Sequence, residues 1–328
     1  MQLILDRPGI SLGVKNGLYY ISHEDGDQKL SPVKVHSICI CRACKLTYDA
    51  VMLAVKHETE ILFLDRKGSP QARIWSPKYG SISTIRKHQV AFAQSPEGVD
   101  WVKEKIARKM DNQSALLSLL SGETPGWELV LDETIGKIEA KKISLLSTEG
   151  SPLSTISNRL RGLEGQAGRL YFQQISQMLP DAYQFSGRSQ HPARDMFNAM
   201  LNYGYGMLYT KVEAALIKAG LDPYLGIFHR DEYNRPVLAY DFIEPYRIWV
   251  DYVVCKLCME QVIFPDFFEI KEESYWLDRP AKQILITSLN DYLAEIVELR
   301  QLRRSRVVHI ELDAQQFANR LKDPISNS

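Results

Sequence analysis

The sequence predicts an α+β protein, with a small N-terminal β domain over residues 1–82 and a larger all-α C-terminal catalytic domain over residues 83–328. Three observations carry this expectation. Apolar residues alternate with a period of two in the first stretch and recur with a period near 3.6 beyond Ile85. Asn16-Gly17 and Lys67-Gly68 are turn signals within the first stretch. Between the two regimes lies Ser76-Pro77-Lys78-Tyr79-Gly80-Ser81, which reads as a linker. At 328 residues the chain has room for two domains and an ample core.

Each element follows from its local pattern. Residues 10–14 alternate, Lys15-Asn16-Gly17 turns, and residues 18–21 resume the strand. Ile38-Cys39-Ile40-Cys41 is a second strand-like run, and residues 48–57 read as a short helix. Residues 60–65 form a strand that breaks at Arg66-Lys67-Gly68, and residues 71–75 follow it. Beyond the linker, residues 99–110 place Val102, Ile106 and Met110 on one helical face. Residues 113–120 continue that helix to the Gly122-Glu123-Thr124-Pro125-Gly126 break. Further helical runs are residues 135–146, 156–178, 193–219, 244–261 and 282–300.

Composition narrows the function. Apolar content of 45% and charged content of 24% are those of a soluble globular protein. No window holds the roughly 20 apolar residues of a membrane span. The N-terminus lacks a basic n-region and long apolar core, so a cytoplasmic protein without membrane contact is expected. The net charge is zero, which argues against indiscriminate nucleic-acid binding. Residues 1–82 hold eleven bases against eight acids, leaving 29 and 32 for the rest. A nucleic-acid surface would therefore be a local patch, for which Arg188, Arg194, Arg300, Arg303, Arg304 and Arg306 are candidates; each read alone is equally a solvated face. The Cys41/Cys44 and Cys255/Cys258 pairs have C-x-x-C spacing, but they sit in apolar runs that favour buried thiols over a zinc site.

Chemistry concentrates in three words. In Leu160-Arg161-Gly162-Leu163-Glu164-Gly165, an acid lies among small residues on an amphipathic helix, and a buried carboxylate there needs a metal or Arg161 as partner. Glycines 162, 165 and 168 weaken that helix and leave room for a close neighbour. His229 closes Gly226-Ile227-Phe228, where an imidazole can ligate, act as acid–base, or simply be hydrogen-bonded in the core. Asp241 and Glu244 stand at i and i+3, a shared helical face or a capping box, with Pro245 weighing against the box. One histidine with two or three carboxylates is a mixed N/O ligand set for Mg²⁺ or Mn²⁺, suited to phosphodiester chemistry.

With their flanking words, these segments resemble the CRISPR-associated integrase of spacer acquisition, the most widespread family of Cas proteins. The resemblance runs almost end to end. It includes Phe63-Leu64-Asp65-Arg66-Lys67-Gly68-Ser69-Pro70, Lys109-Met110-Asp111-Asn112-Gln113, Arg194-Asp195-Met196-Phe197-Asn198, Gly220-Leu221-Asp222-Pro223-Tyr224-Leu225-Gly226 and Leu238-Ala239-Tyr240-Asp241-Phe242-Ile243-Glu244-Pro245-Tyr246-Arg247. It implies that Glu164, His229 and Glu244 bind Mg²⁺ or Mn²⁺, and that Asp241 completes the catalytic set beside a second ion or a water. It also implies a homodimer formed through the β domain, a small second Cas protein as partner, and a short DNA duplex with 3′-hydroxyl ends as substrate. The reaction would be transesterification into a CRISPR repeat. Phe228 and Pro245 depart from the family's usual residues without removing a ligand. The rival expectations are a metal-dependent, structure-specific nuclease without an integration role and a non-catalytic DNA-binding scaffold.

Overall fold

Asn16 and Gly17 take positive φ, 55° and 72°, which builds a two-residue primed turn whose twist suits the strands it joins. The hairpin is β2 (Ser11–Lys15) with β3 (Leu18–His23), reached from β1 (Gln2–Leu5) and extended by β4 (Gly26–Leu30). There follow β5 (Ser37–Ile40), β6 (Lys45–Leu46), α1 (Tyr48–Lys56), β7 (Glu60–Leu64) and β8 (Pro70–Ile74). The computed structural model describes residues 2–35, 37–65, 70–74, 83–122, 128–150, 152–229 and 235–322. The expected turn at residues 66–68, Trp75, the linker at 76–81 and most of the break at 122–126 lie outside the described residues.

The chain divides into two compact units, Met1–Gly80 and Ser81–Ser328. Among the described residues, the first holds two four-stranded sheets, ordered β1-β5-β7-β8 and β4-β3-β2-β6. β5 and β7 run parallel and are joined through α1, whose N-cap Thr47 accepts from the Ala50 N–H at 3.2 Å. Leu5, Leu12, Tyr19, Ile38, Ala50, Ala54 and Ile61 form its core, each at most 1% exposed.

The second unit is mainly helical: α2 (Ser83–Ala93), α3 (Pro96–Ser121), α4 (Glu128–Leu146), α5 (Leu153–Met178), α6 (Met196–Lys218), α7 (Val237–Ile243) and α8 (Arg247–Met259). It is not all-α, as the sequence led us to expect. A hairpin of β9 (Phe268–Lys271) and β10 (Ser274–Leu277) precedes α9 (Arg279–Ala294). A second, β11 (Ile296–Leu299) with β12 (Leu302–Ser305), replaces the end of the helix expected at 282–300 and leads into α10 (Arg306–Lys322). The reason is visible in the turns. Glu272-Glu273 and Arg300-Gln301 adopt positive φ (48° and 61°, 52° and 64°) without a glycine, so the usual hairpin signal is missing. α3 packs against α5 and against the 3₁₀ turn Glu244–Tyr246 that separates α7 from α8. α6 approaches α8 so closely that a Cβ on Gly204 would lie 2.5 Å from Val250 Cγ1. Cys255 and Cys258 are buried thiols on α8 whose pKa values burial pushes up.

Candidate functional site

α3 carries its buried residues Val102, Ile106 and Met110 on one face, with Lys105 and Lys109 interleaved among them. Lys109 Nζ lies 2.6 Å from Glu164 Oε1 and 2.6 Å from Glu244 Oε2, so one ammonium joins α5 to the α7–α8 junction. Pro245 lacks an N–H at the start of the 3₁₀ turn, which ends α7 and presents Glu244 at the break. Asn112 Nδ2 secures that turn by donating to the Pro245 carbonyl at 2.7 Å. Arg247 donates from Nε to Glu244 Oε1 at 2.9 Å, and its Nη2 lies 2.8 Å from the same oxygen. The Arg247 guanidinium also lies over the rings of Tyr205 and Tyr209 and donates to the Tyr209 hydroxyl at 2.7 Å. Burial opposes ionisation of Glu244, but Arg247 and Lys109 overcome it and bring its carboxyl down to about 2. Burial likewise works against the Lys109 ammonium, and Glu164 and Glu244 reverse that, leaving its pKa raised.

Asp241 organises the histidine. Its Oδ2 accepts the Ile227 and Phe228 N–H groups at 2.7 and 2.9 Å, and its Oδ1 accepts the His229 N–H at 3.0 Å. The same Oδ1 meets His229 Nδ1 at 2.5 Å, which keeps the proton on Nδ1 and leaves Nε2 to act as a ligand. Gly226 permits this tight loop, because a Cβ there would lie 2.5 Å from the His229 carbonyl oxygen. Arg161 holds the loop from α5, donating to the Phe228 carbonyl at 2.8 Å. It is therefore Lys109, not Arg161, that partners Glu164. Burial would lower the His229 pKa, but the Asp241 hydrogen bond and the charges of Asp241, Glu244 and Glu164 raise it above the ordinary imidazole value.

Glu164, His229, Asp241 and Glu244 line one small pocket together with Trp101, Val102, Lys105, Ile106 and Phe228. Among the described residues no three His, Cys, Asp or Glu side chains converge tightly enough to enclose an ion. Two features of the geometry explain this: Lys109 stands between the carboxylates, and the imidazole is turned onto Asp241. The donors nonetheless fit a divalent ion. Two glutamate oxygens face a single cation position, and buried Glu244 Oε2 has Lys109's charge beside it but no directed hydrogen bond. His229 adds a nitrogen of fixed tautomer, giving the mixed N/O set that Mg²⁺ and Mn²⁺ accept. The expectation that Asp241 binds a second ion or a water gives way, because its carboxylate is already engaged by three N–H groups and the imidazole.

The candidate phosphate contacts divide. Arg188 is spent internally, donating to Asn198 Oδ1, to Asn202 Oδ1 at 2.7 Å and to the Ser189 carbonyl, with Phe172 and Tyr205 rings beside it. Arg306 is also internal: its Nη1 reaches the Tyr292 carbonyl at 2.7 Å and Glu295 at 2.6 Å. Both stand corrected as open DNA contacts, because each guanidinium is bonded within the fold and packed against aromatic rings, Arg306 with a side chain only 12% exposed. Arg300 pairs with Asp313 at 2.8 Å, while Arg194, Arg303 and Arg304 are exposed. Glycines 162, 165 and 168 admit no close neighbour, since a Cβ on any of them would meet nothing within 4 Å.

The sequence reading passed over Lys105, Lys109, Asn112 and Arg247 as site residues. The signal available was two lysines on the apolar face of the 99–110 helix, a position that solvated lysines avoid.

Fold and site together define an α+β protein whose helical unit holds a pocket of two glutamates, an aspartate-tethered histidine and flanking basic side chains. The chain belongs to the CRISPR associated protein Cas1 family, whose model matches residues 3–291. A CRISPR-associated endonuclease Cas1 of Archaeoglobus fulgidus is 32% identical over 312 residues, covering 92% of this chain and 90% of that protein. The Methanopyrus kandleri endonuclease Cas1 is 31% identical over 258 residues, 77% of this chain and 74% of that one. Among solved structures, a casposase bound to its integration product superposes with a TM-score of 0.81 at 23% identity, covering 98% of this chain and 91% of that one. A Cas1 protein from Thermotoga maritima gives 0.79 at 18% identity, covering 98% and 97%. Both share the fold.

Proposed function

We propose that this chain is a metal-dependent DNA integrase of CRISPR adaptation, joining 3′-hydroxyl ends of short foreign DNA to the edges of a CRISPR repeat by transesterification. One observation carries the reading: Glu164 and Glu244 share a single cation position in the pocket that also holds His229, whose free nitrogen is set by Asp241. Glu164, Glu244 and His229 Nε2 would hold Mg²⁺ or Mn²⁺. Such an ion, when bound, lowers the pKa of the attacking hydroxyl and neutralises charge developing on the phosphoryl group. The protein's own residues prepare for it. Arg247 keeps Glu244 ionised and oriented, Asp241 locks the histidine tautomer, and Lys109 holds both glutamates at the position an ion would occupy. With water in place of the hydroxyl, the same site would hydrolyse DNA, in keeping with the endonuclease names of the relatives.

The partnership extends the proposal. A Cas6-RT-Cas1–Cas2 complex superposes with a TM-score of 0.80 at 21% identity, covering 100% of this chain and 35% of that one, and the casposase carries integrated DNA. These support a second small Cas protein and a DNA duplex as partners; a homodimer and a cytoplasmic location belong to the proposal itself. Arg194, Arg303 and Arg304 are the exposed candidates for backbone contacts, which position DNA without reading its sequence. Among the described residues no helix is long and apolar enough to cross a membrane.

The test is strand joining. Protein, its small Cas partner, Mn²⁺, a supercoiled plasmid bearing a CRISPR repeat and a labelled duplex with free 3′-hydroxyls are mixed. Label covalently attached to plasmid, and lost with chelator, Glu164→Ala or His229→Ala, is the expected result. Cutting without joining would favour a nuclease, and DNA binding with no chemistry would favour a scaffold.

A further inference from the structure

Lys105 lies one helical turn before Lys109 and is only 9% exposed, yet it has a different environment. Its Nζ stands 5.1 Å from the Trp101 ring centroid and 4.9 Å from that of Phe242, between aromatic faces that attract a cation. Among the described residues it makes neither a hydrogen bond nor an ion pair. The charges it senses, Asp313, Glu104 and Arg300, act at a distance, and Asp313 is engaged by Tyr246 and Arg300 at 2.5 and 2.8 Å. Burial lowers its pKa, with Asp313 and Glu104 opposing the shift. The same side chain lines the pocket with Glu164, His229 and Glu244.

The charges in this pocket sort into partners. Glu164 and Glu244 are matched by Lys109 and Arg247, and Asp241 by three N–H groups and the imidazole. Lys105 is the cation left over. An aromatic cradle softens the burial of a charge but does not replace an anion. We propose that Lys105 contacts a non-bridging oxygen of the phosphodiester that reacts in this pocket, a role that rests on the phosphodiester chemistry argued above. The contact is a charge-assisted hydrogen bond from Nζ to the phosphoryl oxygen, with the proton remaining on nitrogen.

Two arms test it, using the full chain. In the first, Lys105→Met, Lys105→Arg and wild type are melted without DNA. Methionine fills the Trp101–Phe242 slot without a buried charge, so Lys105→Met is expected to melt higher than wild type. A lower melting temperature would mark Lys105 as a structural cation and overturn the proposal. In the second, each protein binds a branched duplex, the product of joining, in chelator, with either a phosphodiester or a neutral methylphosphonate at the junction. Wild type and Lys105→Arg should prefer the phosphodiester by about tenfold, and Lys105→Met should show no preference. Equal preference in wild type and Lys105→Met would sink the idea even if both join DNA. A preference confined to wild type and Lys105→Arg would stand even if no protein joins DNA, which separates this contact from the integrase reading.

Discussion

Replacing Lys109 with methionine removes the charge that holds Glu164 and Glu244 together. Each contact is 2.6 Å long, a gross attraction of about 6 kcal/mol at an effective dielectric constant near 20. Desolvation cancels much of this, so the useful figure is the cost of breaking a buried pair from one side, about 3–5 kcal/mol. Two features place this case lower: the Glu164 side chain is 21% exposed, and Glu244 keeps Arg247 at 2.8 Å. A loss of about 2–3 kcal/mol is expected, or about 5–10 °C in melting temperature for a helical unit of this size. A divalent ion at 100 times its dissociation constant returns about 2.7 kcal/mol. Mn²⁺ should thus raise the variant's melting temperature by more than the wild type's, where an ammonium must first be displaced. Thermal unfolding followed by circular dichroism, in chelator and then in Mn²⁺, reads both effects. A variant melting within about 1 °C of wild type in chelator would refute the shared ion pair. A low-melting variant that Mn²⁺ raises no more than wild type would refute the shared cation position.

Three further outcomes are expected. Glu244 titrates at about 2 in the fold against 4.5 ordinarily, so its stabilisation is complete above about pH 4.5 and is lost as the pH falls towards 2. The linkage is worth about 3 kcal/mol, and urea unfolding at pH 6 and pH 3 should show a gap that shrinks in Glu244→Gln. Asp241→Asn releases the His229 tautomer and should weaken Mn²⁺ binding by about 10–100-fold in calorimetry, an effect an incidental loop bond would not produce. Gly165→Ala should stabilise by about 0.5–1 kcal/mol in denaturant titration, because its Cβ meets nothing within 4 Å; destabilisation would mean a neighbour fills that space.

What could be read from the sequence was what repeats or what composition marks. Alternation found β2 and β3, a short apolar run found β7, and the 3.6-residue period found α3 through α6, because burial on one face imposes those periods directly. The hairpins of β9–β10 and β11–β12 escaped because their tips bend at glutamate, arginine and glutamine, residues that do not announce positive φ. At the site, Glu164, His229, Asp241 and Glu244 stood out as residue types, and they do line one pocket. Their partners did not, since a pairing such as Lys109 with Glu164 spans 55 positions and is set by how α3 packs on α5. The Asp241–Glu244 spacing was ambiguous for a related reason: Asp241 faces a loop that spacing along its own helix cannot reveal. Arg188 shows the opposite error, an arginine whose charge suggested DNA but whose asparagine and aromatic neighbours occupy it.

The way the site is mounted separates two tasks. Glu164 and Glu244 belong to α5 and to the α7–α8 junction, elements fastened by Leu160, Phe242 and Val250, all fully buried, so their spacing is a property of the core. His229 belongs to a loop whose position depends on Asp241's acceptors and Arg161's donation to Phe228. The carboxylates are therefore preset by the core, while the imidazole is tethered to α7 through Asp241. A divalent ion held by Glu164, Glu244 and His229 would compete with the Lys109 ammonium for the two carboxylates. The donors have the right chemistry for a divalent ion, but among the described residues they do not converge on one point. On the metal-dependent reading proposed above, Lys109 and Asp241, rather than the ligands themselves, would set how readily the pocket takes an ion.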